Sequence, residues 1–375
     1  MTVERAGLYV HIPFCLTRCG YCDFNAYAGL DHLAAPYVDA LRHEAALTAN
    51  DWKGVSIASI FFGGGTPTTL SSETIGMLVN TFREGFVLSP GPEITCEANP
   101  DTVDVPSLKG LRHAGVNRLS IGVQSFDPDV LASLQRIHSA ESARRAYGAA
   151  RDAGFDNVNL DLIYGAEGET IDSWRGSLEE AVALRPEHLS CYALTIEPNT
   201  MLGRQVAAGI ARAPDPDRQA DMYELACDTL SSAGYLHYEV SNWALPGREC
   251  LHNLGYWEGR PYLGLGAGAH SFRAGRRWWN LRPPHQYMET LSEHRLPVGG
   301  EERIRDEDGK LEALLLGLRL DRGVPHAWVP PQVAEDLVER GLARARGSKF
   351  ALTDRGMLLA SEVVLAVEAG STQER

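Results

Sequence analysis

The alternation of apolar, strand-like runs with segments of helical period is what most constrains how this 375-residue chain can fold. Strand-like runs lie at about Leu8 to Ile12, Ser59 to Phe62, Glu93 to Cys96, Arg118 to Val123, Asn157 to Ile163 and His188 to Leu194. Between them apolar residues recur three and four apart. Ala143, Ala146, Tyr147 and Ala150 form one such stripe, and Ile171, Trp174, Leu178 and Val182 another. Ser71, Ser139 and Thr170 stand where helix N-caps belong, and Asp215 with Pro216 opens the helix after the sixth run. Six strand-helix units in series demand a parallel sheet with right-handed crossovers. Six falls short of the eight that close a barrel, so the expected class is α/β, a partial (β/α)6 TIM-like barrel.

In such barrels functional groups gather at the carboxyl ends of the strands, and polar residues fall there. Cys15, Cys19 and Cys22, spaced Cys-x-x-x-Cys-x-x-Cys, follow the first run, and Gly63, Gly64, Gly65 and Thr66 follow the second. Glu97 and Asn99 end the third and Gln124 the fourth, while Asp161 and Tyr192 lie near the ends of the fifth and sixth. Singly each reads as a tight turn, a solvated loop or a cap. Six ends of one sheet carrying them read as a binding site. Glycines let backbone N–H groups approach a ligand, and Glu97, Gln124 and Asp161 can take up the amine, adenine and ribose hydroxyls of a nucleoside cofactor. Three thiols are one short of a closed zinc site or of a ferredoxin cluster set. Three unrelated thiols or half a zinc site are the alternatives; a 4Fe-4S cluster on three thiolates would keep one iron open for a chelating small molecule.

A net charge of −14 argues against a nucleic-acid partner, which needs Lys and Arg in excess on one face. Seven cysteines without paired spacing do not make a disulfide framework and point to a reducing, cytoplasmic home. MTVERAG leads into a strand broken by His11 and Pro13, so no secretory signal is expected. No run approaches a membrane span, and any membrane contact would be peripheral.

The segments YVHIPFC, FFGGGTPT, CEANP, GVQSF, LQRIHS and NLDLIYG resemble those of the anaerobic coproporphyrinogen III oxidase family of the radical SAM superfamily. The resemblance implies a 4Fe-4S cluster on Cys15, Cys19 and Cys22 and S-adenosylmethionine (SAM) at Tyr9, Gly64 and Glu97. It implies a second SAM at Tyr21, Gly65, Thr66, Gln124, Arg136 and Asp161, with a last position near Thr195. The oxidases themselves carry a further cysteine where this chain has Phe24, and an extension before the first strand. Here CLHNLGYW (Cys250 to Trp257) and YLGLGAGAHSF (Tyr262 to Phe272) instead resemble the haem-chaperone branch of that family. That likeness implies bound haem, passed on to haem-accepting proteins, with His252 as axial ligand beside Tyr256 and Trp257; His270 is the competing ligand. Taken without it, His252 reads as a satisfied structural histidine. Oxygen-independent oxidation of coproporphyrinogen III, a radical SAM oxidative decarboxylation, is the alternative activity. The glycines at 264, 266 and 268 lack the strand-helix context of a dinucleotide fingerprint.

The chain is expected to divide at residue 285, with the barrel and haem-motif segment in 1–285 and a mostly helical part in 286–375. Pro283 and Pro284 read as a linker. Lys310 to Arg319 carries Leu311, Leu314, Leu315 and Leu318 on one face, and Val333 to Gly341 forms a second helix. LARARGSKFALT reads as a hairpin feeding a last helix from Asp354 to about Val367, an arrangement similar to a winged helix. In an acidic chain it reads as a scaffold or docking part, not a DNA reader. The tail GSTQER is expected to be disordered.

Overall fold

A computed structural model describes residues 4–373. All six expected units are present. The strands are β1 (Glu4–Ile12), β2 (Val55–Gly64), β3 (Val87–Ala98), β4 (Arg118–Gln124), β5 (Val158–Tyr164) and β6 (His188–Ala193), each hydrogen-bonded in parallel to the next. The helices around them are α1 (Ala34–Thr48), α2 (Ser72–Gly85), α3 (Val105–Ala114), α4 (Pro128–Ser133), α5 (Ala140–Asp152), α6 (Ile171–Leu184), α7 (Met201–Ala207) and α8 (Pro216–Ser232).

The expected caps operate. Ser71, Ser139 and Thr170 each accept the N–H three residues on, and Asp215 accepts those of Asp217 and Arg218, satisfying donors a helix leaves unpaired. Strand alternation sends Leu8, Val10 and Ile12 to the helix side, where they are fully buried with Ile75, Leu78 and Phe82 of α2. Trp174, also fully buried, donates its indole N–H to the Met222 carbonyl at 2.8 Å, so a large apolar body costs no orphaned donor.

Beyond β6 the sheet reverses. β7 (Leu236–Glu239) and β8 (Asn242–Ala244) form a hairpin whose β8 runs antiparallel to β6. The helix α9 (Leu251–Trp257) then leads to β9 (Tyr262–Leu265), which returns to pair in parallel with the outer edge of β1. This seventh parallel strand was not among the six expected. Antiparallel β10 (His270–Arg273), β11 (Arg276–Asn280) and β12 (Val298–Arg303) extend that edge. The whole order is β12-β11-β10-β9-β1-β2-β3-β4-β5-β6-β8-β7, an unclosed barrel of twelve strands.

The proline pair at 283 and 284 is not a linker: it starts α10 (Pro284–Ser292), with proline in the first turn where no N–H is missed. β12 lies past residue 285 yet belongs to the large sheet. After it come α11 (Asp306–Gly317), β13 (Val324–Pro325), α12 (Pro331–Glu339), the expected hairpin β14 (Ala343–Arg346) and β15 (Lys349–Leu352), α13 (Asp354–Leu358) and α14 (Ala360–Gln373). The small sheet has the order β13-β15-β14. The single last helix expected is two, interrupted at Leu359. Gly370 to Gln373, expected to be disordered, continue α14, because Gly370 packs against Val333 and Pro330; Glu374 and Arg375 lie outside the described residues. This part docks on β7 through backbone bonds Val240 N–H to Arg319 O and Asp321 N–H to Tyr238 O, and through His237 Nδ1 to Asp354 at 2.8 Å.

Candidate functional site

At the carboxyl ends of the parallel strands lies a cavity of about 380 Å³, within the range of small-molecule sites. Cys15, Cys19, Tyr21, Cys22, Gly64, Gly65, Thr66, Glu97, Gln124, Arg136, Asp161 and Thr195 all line it. Of the residues singled out from sequence, Tyr9, Gly63, His252, Tyr256, Trp257 and His270 are not among those lining it.

The cysteine loop is held from several sides. Phe14–Cys15 forms a short parallel pair with Tyr27–Ala28, the Arg18 guanidinium donates to the Cys22 carbonyl, and Leu202 N–H of α7 donates to the Gly20 carbonyl. All three cysteines are free. Zn–S bonds of about 2.3 Å keep the ligands of one ion within about 4.6 Å of each other. Among the described residues the one group of three metal-ligating side chains drawn together within 4.8 Å is Cys227, His237 and Asp354, so the three loop thiols are not gathered as tightly as the ligands of one zinc ion would be. Thr66 Oγ1 donates to Cys15 Sγ at 3.6 Å, which favours thiolate there, and Arg136 Nη1 donates to Cys19 Sγ at 3.3 Å. Burial pushes the Cys15 and Cys22 thiols up, so loading metal there must release protons.

The triple glycine works differently from the expectation that its amides face a ligand. Gly64 N–H donates to Glu97 Oε2 at 3.2 Å, Gly65 N–H to the Ile12 carbonyl and Thr66 N–H to the Phe14 carbonyl. The glycines are needed for close approach. Gly64 has φ +115° with the His11 ring 2.5 Å from where a Cβ would stand, and a Cβ on Gly65 would meet Phe14 O at 2.6 Å and Cys15 Sγ at 2.9 Å.

Glu97 is pushed up to about 8, first by burial and then by the Asp161 charge across the cavity. Asp161, raised by burial, is held by Ser120 Oγ on one oxygen and Asn159 Nδ2 on the other, both at 2.8 Å. Two carboxyls sharing a half-dry space make a receptor for a cation or for paired hydroxyls. Gln124 sits at a β-bulge with φ +66°, a left-handed conformation rare outside glycine, beside Gly122. Arg136 bridges Cys19 to the Gly122 carbonyl, and its Nε donates to His138, whose other nitrogen faces the Val123 carbonyl. Ser120, Asn159 and His138 escaped the sequence reading. For the first two the signal was present: Ser120, Gly122 and Gln124 on β4, and Asn159 and Asp161 on β5, alternate with apolar residues and so share the inner face.

Tyr9 lies against Gly63 beside Glu97, with its hydroxyl committed to His11 Nδ1 at 3.0 Å. His11 Nε2 faces the Asn25 carbonyl and must donate, so Nδ1 accepts from Tyr9; burial lowers the ring to about 4 and keeps it neutral.

His252 sits at the opposite, amino end of the barrel. It is 3% exposed, its Nδ1 is bonded to Ser59 Oγ and its Nε2 to Tyr256 OH, both at 2.9 Å, and it stacks on Phe61. Burial lowers its pKa to about 3. Both its nitrogens are hydrogen-bonded in this arrangement, as a structural histidine's would be, while the residue also borders a small cavity with Gly7, Tyr256, Arg260 and Tyr262. Its helix α9 plugs the barrel floor. Cys250 Sγ and the N–H groups of Leu251 and His252 converge on the buried Glu93 carboxylate, which also faces the buried Arg118.

The Radical SAM superfamily profile matches residues 9–181. The chain is 43% identical over 370 residues to "Heme chaperone HemW" of Mycobacterium tuberculosis (strain ATCC 25618 / H37Rv), covering 97% of this chain and 95% of that one. It is 36% identical to the HemW of Bacillus subtilis (strain 168), covering 95% and 97%. Among solved structures, the coproporphyrinogen III oxidase (HemN) from Escherichia coli, described as a radical SAM enzyme, superposes with a TM-score of 0.84 at 25% identity, over 98% of this chain and 91% of that one. Among the described residues no helix is long and apolar enough to cross a membrane. An unclosed parallel barrel, a three-cysteine loop at its mouth and near full-length likeness to these proteins together mean that the chain belongs to the HemW-type branch of the radical SAM superfamily.

Proposed function

We propose that this protein is a haem chaperone that carries a 4Fe-4S cluster, binds SAM and passes haem to acceptor proteins. The observation that carries the reading is the 43% identity to a named haem chaperone across 97% of the chain. Cys15, Cys19 and Cys22 would hold the cluster, with Thr66 and Arg136 hydrogen-bonded to the Cys15 and Cys19 sulfurs. When bound, the cluster and SAM would supply one-electron chemistry. Glu97 would receive the ammonium of SAM, Asp161 its ribose hydroxyls, and Arg136 would shield the site beside Cys19. We also read residues 306–373 as a docking part for partner proteins, similar to a winged helix and hydrogen-bonded to β7.

Phe24, 63% exposed at the cavity lip, stands where the oxidases carry a further cysteine. It favours a carrier over the alternative oxidase. The test uses anaerobically reconstituted protein with SAM and a reductant. Haem should stay with the protein through gel filtration, and coproporphyrinogen III should emerge unchanged by chromatography. Robust formation of protoporphyrinogen IX would favour the oxidase, and failure to retain haem would end the chaperone reading.

A further inference from the structure

Away from the cavity, one cluster gathers three different metal-ligating side chains. Cys227 comes from the buried face of α8, His237 from β7 and Asp354 from the first turn of α13, and one ligand atom of each lies within 4.8 Å of the other two. The cluster lies on the seam where the part that begins at α11 docks on the barrel, next to the backbone bonds of Val240 with Arg319 and of Asp321 with Tyr238. The imidazole is fixed from two sides. Trp243 of β8 stacks on it at 4.3 Å and 6°, and Tyr223, one turn before Cys227 on α8, meets it edge-on at 5.9 Å. Nδ1 faces Asp354 Oδ1 at 2.8 Å, while Nε2 faces the Val240 carbonyl at 3.4 Å, with the Tyr223 hydroxyl at the same distance. Metal-binding histidines are held in this way, with one nitrogen towards the ion and the N–H of the other given to a backbone carbonyl.

The residue types select the ion. Thiolate with imidazole favours zinc over magnesium or calcium, which want oxygen alone, and a thiolate with a carboxylate balances a divalent charge. Glu224 and Asp228 add negative charge around the thiol, and Arg344, the cation near Asp354, is already paired with Asp321. Cys227 is buried and Asp354 half-exposed, so an ion enters past the carboxylate. A substrate carbonyl could not reach the buried sulfur, which sets aside a Cys-His-Asp relay for acyl transfer.

We propose that Cys227 Sγ, His237 Nδ1 and an Asp354 oxygen bind one zinc ion, with water as fourth ligand, and that this ion staples residues 306–373 to the barrel. Binding replaces the hydrogen bond from Nδ1–H to the carboxylate. The thiol proton leaves to solvent, and the ring proton passes to Nε2, where the Val240 carbonyl accepts it. Trp243 acts as a positioning residue for the ring.

The test adds zinc to the anaerobically reconstituted, cluster-loaded full chain, so that the loop cysteines are already engaged, and measures zinc, iron and sulfide after desalting. About one equivalent of zinc should be retained with iron unchanged, and zinc-edge X-ray absorption should show one sulfur at about 2.3 Å beside nitrogen and oxygen at about 2.0–2.2 Å. Hydrogen exchange at the Val240 and Asp321 amides, which bond across the seam, should slow when zinc is added. Cys227→Ser should abolish the sulfur signal and the slowing and weaken zinc binding by more than about a hundredfold, since loss of an outer-shell partner alone costs about ten- to a hundredfold. Asp354→Asn keeps an oxygen for the His237 N–H, so the seam should hold while zinc binding weakens at least about tenfold. Exposed His113→Ala should change nothing. Retention of zinc unaltered in Cys227→Ser, uptake only at the expense of iron, or no retained zinc in the wild type would each overturn the proposal, and none of them bears on the chaperone reading.

Discussion

Glu97 offers a quantitative check on whether the cavity is a cation receptor. Its carboxyl titrates at about 8 in the ligand-free protein, against 4.5 ordinarily, because it is buried and shares the cavity with Asp161. At pH 7 it is therefore about nine-tenths protonated. Placing the ammonium of SAM beside it favours the carboxylate, so binding must expel about 0.9 proton at pH 7. Linkage then makes the association constant rise about tenfold per pH unit well below pH 8 and about fivefold from pH 7 to 8. Between pH 5.5 and 7.5 the carboxyl's ionisation alone gives a gain of about 75-fold, or about 2.6 kcal/mol at 1.36 kcal/mol per unit, offset slightly at the upper end by ionisation of the α-amino group. The ligand-free fold changes in the opposite sense. The unfolded chain is the stronger acid here, so stability falls as pH rises from about 4.5 towards 8. Calorimetry of SAM binding in buffers of different ionisation enthalpy measures the proton count directly. Glu97→Gln keeps an oxygen for Gly64 N–H and should bind weakly with a flat pH profile. A flat wild-type profile, or a Gln variant that retains the slope, would refute the assignment.

Three further outcomes are expected. Cys15→Ala, Cys19→Ala and Cys22→Ala should each abolish iron and sulfide incorporation, whereas Cys96→Ala, Cys191→Ala, Cys227→Ala and Cys250→Ala should leave both near wild type; metal analysis after reconstitution decides. Gly65→Ala should displace Cys15 Sγ and lower cluster content while circular dichroism stays native, since the new Cβ would stand 2.9 Å from that sulfur. Glu93→Ala should cost about 3 kcal/mol or more in urea unfolding, because it leaves the α9 N–H groups and the buried Arg118 without their carboxylate.

The cavity was legible in sequence because its parts are local. A strand ends, a glycine or acid follows, and the parallel topology gathers the six ends. His252 was not legible for the converse reason. Its surroundings come from Ser59, Glu93 and Arg118, on three different strands, and no pattern around HNLGYW displays them. β9 escaped because YLGL is four residues long and flanked by glycine, and its partner lies some 250 residues earlier. Pro283 and Pro284 misled because the same dipeptide that suits a linker also starts a helix.

The return of β9 to β1 has a consequence for biosynthesis. Asn25 is anchored to Arg282, 257 residues later, so the chain next to the cysteine loop cannot take its final shape until most of the protein has left the ribosome. At about 5–20 residues per second the first strand and its thiols wait about 13–50 s for that partner. Iron and sulfide delivered earlier would meet a loop without its anchor, so the cluster proposed for these thiols would be assembled after synthesis, and the nascent thiols would be a target for whatever protects them in the meantime.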